Sequence, residues 1–223
     1  MEILIGIVVG ALILALVVWG MLAEQKRRAA LLALAQRLGL SYRSDRDRAL
    51  AERFGFLNRL NQGAQRYGEN LFSGRLDGHE VLAFDYHYET YSSDSKGRRQ
   101  THHHYLSVYA LMLPRSFPEL TICREGWLSK IAQAFGYDDI DFESAEFSRN
   151  FCVRAKDKRF AYDFCHPTCM EYLLGNADLD IEVEHNVLAM VFRGRLKLDL
   201  IEPNLRRLLH LRSLMPEYLF AIP

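Results

Sequence analysis

The chain has 223 residues, 49% of them hydrophobic, with Lys plus Arg equal to Asp plus Glu at 28 each. This composition supports one full-sized core, or at most two small ones, and excludes general disorder, a chain-wide cationic nucleic-acid binder and an acidic solvating tail. The neutral total hides an asymmetry, because residues 24–66 carry a net charge of +6 and residues 67–223 a net charge of −5.

Ile3 to Ala23 is an uncharged apolar run interrupted only by Gly6, Gly10 and Gly20. A helix of about 20 apolar residues, rising 1.5 Å per residue, crosses a hydrocarbon core of about 30 Å, so residues 1–23 predict a transmembrane helix. A cleaved signal peptide fits less well, because the chain starts Met1-Glu2 and the apolar run is long. Lys26, Arg27 and Arg28 follow the run directly. Positive residues stay inside, which predicts an outside N-terminus and a cytoplasmic body. The same three residues are candidates for contact with anionic headgroups, each contributing about 1 kcal/mol near such a surface. A cytoplasmic body also makes Cys123, Cys152, Cys165 and Cys169 free thiols rather than a disulfide framework.

Residues 24–66 predict a juxtamembrane helical region. Ala30, Leu31, Leu34, Ala35 and Leu38 recur at helical spacing and Gly39 follows at a cap position; a second helix is expected from about Asp47 to Leu60, with Ala51, Phe54 and Leu57 in one stripe. Residues 67–223 then predict an α+β domain. Leu71–Leu76 and Val81–Thr90 alternate in polarity around Asp77-Gly78, a strong hairpin signal. A third strand is expected over Thr101–Leu113 and a short one over Leu120–Cys123, separated by Pro114 and Pro118. Gly126–Phe135 reads as a helix, Phe147–Val153 and Phe160–Phe164 as extended, and Pro167 opens a helix ending near Gly175. A second hairpin is expected around His185-Asn186, and a last helix from Pro203 to Leu214. Strands and helices without regular alternation predict a mixed, mainly antiparallel sheet with several packed helices.

At Phe84-Asp85-Tyr86-His87-Tyr88-Glu89-Thr90, and again at Tyr137 to Glu143 followed by Phe147-Ser148-Arg149, the chain resembles a family of uncharacterised bacterial proteins with one N-terminal membrane helix. The resemblance extends over nearly the whole chain. It implies that layout and a bacterial setting, in which the span read above would lie in the inner membrane, and it brings no activity, ligand or catalytic residue.

The histidines form the most chemical of the constellations. If Ser92 to Gln100 closes a hairpin, strand register decides which residues share a face. In one register Asp85, His87 and Glu89 join His102 and His104, a set suited to zinc or another divalent metal. Shifted by one, only His103 joins His87. The candidate metal ligands are therefore His87, His102 and His104, and clustered imidazoles also titrate near neutral pH. Cys165-His166-Pro167-Thr168-Cys169 lacks the two-residue gap of a zinc knuckle and is read as packing. Asp138, Asp139, Asp141 and Glu143 do not follow the order of a calcium loop. No phosphate loop, dinucleotide fingerprint, nucleophile elbow or H-E-x-x-H is present. Tyr86, Tyr88, Tyr105 and Tyr109 lie at core-like alternation without a basic stripe, which disfavours nucleic acid as a partner.

The expectation is a membrane-anchored binding or assembly module without a cofactor and not an enzyme, whose partners are the lipid bilayer and another protein or copy of itself. Two alternatives stand beside it. One is a metal-dependent enzyme, or a metal or pH sensor, using the histidines; the other is a peripheral domain that senses anionic lipid through residues 24–66.

Overall fold

In the computed structural model, residues 1–94, 97–124 and 139–221 are described, with backbone alone at residues 2–9 and 11. The expected helix Gly126–Phe135 lies outside them. Helix α1 (Glu2–Leu38) is one continuous 37-residue element. It stops at Gly39, which adopts φ 69 and ψ 23; the Gly39 N–H reaches Gln36 O and the Leu40 N–H reaches Ala35 O. Glycine holds this left-handed conformation without a Cβ clash, which is why the helix ends there.

The expected transmembrane helix is not found, and with it falls the single-pass inner-membrane placement with an outside N-terminus and a cytoplasmic body. Among the described residues no helix is long and apolar enough to cross a membrane. A span needs about 20 consecutive apolar residues. The stretch of α1 with described side chains runs unbroken only from Leu12 to Ala23, after which Glu24, Lys26, Arg27 and Arg28 enter the same helix.

The body is α+β. Among the described residues six strands, β1 (Ser41–Arg43), β2 (Ala64–Leu76), β3 (His79–Ser93), β4 (Arg99–Arg124), β5 (Phe151–Ala155) and β6 (Ile181–Arg193), form one sheet in which every pairing is antiparallel. The order is β1-β2-β3-β4-β5, with β6 also on β4. β4 is the axis: β3 and β5 lie along one edge of it and β6 along the other. The β2–β3 turn forms as expected, with Asp77 at φ 50 and Gly78 at φ 82. β2 carries two bulges, and Gln65 (φ 51) and Asn70 (φ 54) sit at them.

Side chains alternate across a strand, and both faces of this sheet are covered. On one face Val81, Ala83, Tyr109 and Leu111 pack with Leu31, Leu34 and Ala35 of α1, and with Ile201, Leu205 and Leu208 of α6 (Leu198–Leu214). On the other, Leu82, Phe84 and Tyr86 pack with Leu50 and Ala51 of α2 (Arg48–Arg53) and with Phe54, Leu57 and Leu60 beyond it. Ala145–Asn150 (α3), Lys158–Phe164 (α4) and Pro167–Gly175 (α5) are the other helices among the described residues, and Glu217–Phe220 is a short 3₁₀ turn.

Several local expectations differ from the structure: the helix expected from about Asp47 to Leu60 ends at Arg53, and Phe147–Asn150 is helical, with Ser144 Oγ accepting from the Phe147 N–H, before the strand Phe151–Ala155 begins. Pro114 and Pro118 do not end a strand, because the irregular pairing of β4 with β6 between Met112 and Leu120 absorbs them. His185-Asn186 is a kink inside β6, with His185 at φ 51, instead of a hairpin turn. Phe160–Phe164 is helical because Asp157 caps it, accepting from the N–H groups of Arg159 and Phe160. α6 starts at Leu198, with Pro203 inside the helix.

Candidate functional site

α1 divides into a docked half and an undocked one. From Leu31 onward its apolar stripe is buried in the body. Leu12, Ile13, Leu14, Leu16, Val17, Val18, Trp19, Met21 and Leu22 are 46–71% exposed. Successive helical residues are 100° apart, so these side chains cover every side of the helix rather than one stripe.

Arg27 marks the boundary between the halves. Its Nη2 donates to Asp85 Oδ2 at 3.1 Å and to Leu196 O at 3.2 Å. Asp85 is fully buried on β3 and also accepts from Asn70 Nδ2 and the Leu196 N–H. Of the three residues expected at a headgroup surface, Arg27 is thus committed to the sheet and Arg28 pairs with Glu24 at 3.0 Å, while Lys26 faces solvent.

Two residues beyond Asp85 on the same face of β3 lies His87. The register pairs His87 with Tyr105, Glu89 with His103 and Thr90 with His102. Paired residues share a face, so His87, Glu89 and His103 come together and His102 and His104 fall on the opposite side. The expected set His87, His102 and His104 is therefore not assembled. His102 Nε2 meets Ser92 Oγ, and His104 Nε2 meets Thr90 Oγ1, each at 2.7 Å. Register was the undecided quantity, and nothing in the loop residues distinguishes the two settings.

His87 is 3% exposed, with Tyr67 stacked on it at 4.5 Å and Tyr105 at 5.0 Å. Its Nε2 lies 3.1 Å from His103 Nδ1, which in turn is 3.5 Å from Glu89 Oε1. Burial pushes the His87 pKa down and the nearby His103 adds to this; the Gln65 backbone and Glu89 act in the opposite sense. The ring is therefore neutral at neutral pH. Arg46 lies over Tyr67 and Arg195 over Tyr105, and both also pair with Glu69, so their charge is turned onto rings and a carboxylate.

The chain shares its fold with a transport factor. It superimposes on the crystal structure of the mycobacterial trehalose monomycolate transport factor A, TtfA, with a TM-score of 0.58 at 12% identity, over 88% of this chain and 97% of that one. No family model and no curated protein matches it. At that identity the likeness to TtfA concerns the path of the chain, and no residue role is carried over from TtfA.

The remaining sequence candidates are structural. Cys165 and Cys169 are buried, and desolvation raises both thiols. His166 Nε2 lies 2.7 Å from Leu214 O, which fastens α5 to the end of α6. Asp139 accepts from Cys152 Sγ and Arg154 Nε. Sequence reasoning missed Asp85 as the anchor of α1. Its one signal was an acid at an inward position of the apolar alternation Val81, Ala83, Asp85, and its partner stands 58 residues away.

Proposed function

We propose that this chain is a lipid-handling binding or assembly module, in which the apolar first part of α1 contacts acyl chains and the α+β body holds that helix in place. One observation carries the proposal: the stretch from Leu12 to Leu22 exposes nine large apolar side chains on all sides of a helix whose other half is docked. Apolar surface costs about 25 cal/mol per Å² in water, so a continuous sleeve of it calls for an apolar cover. The likeness to a protein named for the transport of trehalose monomycolate supports lipid as that cover. The basic triplet takes a secondary part, since Arg27 is committed to Asp85 and Arg28, although exposed, pairs with Glu24.

Flotation with neutral phosphatidylcholine vesicles tests this. The full chain is expected to float at both low and high salt, and Leu16→Glu with Trp19→Glu to abolish flotation without changing the circular dichroism of the body. Absence of flotation, or flotation that requires anionic lipid and vanishes with salt, would sink the proposal. Self-association of the chain through α1 in place of vesicle binding would assign the apolar surface to a second copy instead.

A further inference from the structure

His87, Glu89 and His103 each offer one donor atom, and these atoms lie within 4.8 Å of one another. Two of the separations are 3.1 Å, between His87 Nε2 and His103 Nδ1, and 3.5 Å, between His103 Nδ1 and Glu89 Oε1. Donors placed tetrahedrally at about 2.1 Å from an ion stand roughly 3.4 Å apart. Two of the three spacings are already close to the edges of such a tetrahedron, and the third lies within 4.8 Å. We propose that His87 Nε2, His103 Nδ1 and a Glu89 carboxylate oxygen form a binding site for a divalent transition-metal ion of the zinc type, with a fourth position open to solvent beside the exposed His103.

The surroundings favour this reading. Two imidazoles and one carboxylate suit zinc, cobalt, nickel or iron, whereas calcium and magnesium require oxygen ligands. Tyr91 Oη donates to Glu89 Oε2 at 3.0 Å, which orients the carboxylate and leaves Oε1 toward His103. Outer hydrogen bonds of this kind fix metal ligands in place. Arg99 lies over the Tyr91 ring at 3.6 Å, so this cation too is stacked rather than aimed at the donors.

The proton balance closes within the site. Without metal, one proton lies between His87 Nε2 and His103 Nδ1, and His87 Nδ1 is buried without a hydrogen bond. Metal binding needs both facing nitrogens as lone pairs. Neutral imidazole meets this need by tautomerism, the proton standing on the ring nitrogen that faces away from the ion. No proton has to be released.

Cobalt(II) titration of the metal-stripped full chain, kept in detergent for the sake of α1, tests the site through its visible absorption. The expected result is one equivalent with the intense bands of tetrahedral cobalt(II), and affinity reduced by more than about tenfold in His103→Ala and in Glu89→Gln. His103 is exposed, so its replacement leaves the fold intact. His102→Ala with His104→Ala, on the opposite face, is expected to bind as the parent does. Absence of the tetrahedral bands, binding that survives both His103→Ala and Glu89→Gln, or loss in the His102/His104 variant would each overturn the proposal.

Discussion

Asp85 is a carboxylate with no exposed surface, held by Arg27, Asn70 and the Leu196 N–H. It ties three distant parts of the chain together: the midpoint of α1, β2, and the segment entering α6. A buried charge stripped of its partners is costly, while a cavity lined by their unpaired donors is costly as well. Asp85→Ala is therefore expected to lower unfolding free energy by about 3–5 kcal/mol. Arg27→Met removes one donor of three from a position that is 28% exposed, and is expected to cost about 1–3 kcal/mol. Denaturant unfolding of the two variants checks the order. Equal losses, or an Asp85→Ala loss below that of Arg27→Met, would show that the ion pair rather than the whole donor set stabilises the carboxylate.

At the scale of elements, the turns after α2 are fastened to the sheet by one buried acid. Glu182 on β6 accepts from the backbone N–H of Asn58 at 2.6 Å and of Arg59 at 2.9 Å, while Arg59 also pairs with Asp180. Burial raises the Glu182 pKa to about 7, against the lowering effect of the two N–H groups and the Arg59 guanidinium. Between the ordinary glutamate value near 4.5 and about 7, the folded chain keeps a proton that the unfolded chain has lost. Stability is then fully present below pH 4.5, falls by about 3 kcal/mol as pH rises to 7, and is level above it. Glu182→Gln is expected to remove this slope whatever it does to absolute stability. Thermal melts across pH 4.5–8 decide the matter, and an unchanged slope in the variant would reassign it to other groups.

Elements also show what the residues disclose and what they do not. Gly39, Asp77-Gly78 and Pro167 set local backbone geometry, and the boundaries they predict are the ones observed. Where a signal is local but permissive, tertiary packing overrules it. Pro114 and Pro118 sit in a strand because β4 is paired on both edges on either side of them, and the run Phe160–Phe164 coils because Asp157 caps it. Hairpin register is not a local property. The pairing of β3 with β4 continues from Val81–Leu111 in the core outward to Ser93–Arg99, so the buried end determines which histidines meet at the exposed one. The histidine face could not be chosen from Ser92 to Gln100, and the face that forms brings His103, not His102 and His104, to His87.

For the whole molecule, the opposed charges of residues 24–66 and 67–223 turn out to be stitched together. Arg27 pairs with Asp85, Arg37 with Glu202 and Arg46 with Glu69. Part of the excess of base near the start of the chain is thus paired with acids of the body, although Arg37 and Arg46 stay 66% and 70% exposed, and the apolar half of α1 is left as the main candidate for lipid contact. Trp19, 71% exposed within that half, is the natural reporter. With Trp127→Phe, Trp19 is the only tryptophan of the chain, as the sequence has two. The decisive measurement is its fluorescence on addition of neutral vesicles whose acyl chains carry bromine, a contact quencher. Contact with acyl chains predicts a blue-shifted emission that is strongly quenched by brominated but not by plain phosphatidylcholine. Emission left at the same wavelength and intensity by both would contradict a lipid-handling role for this helix.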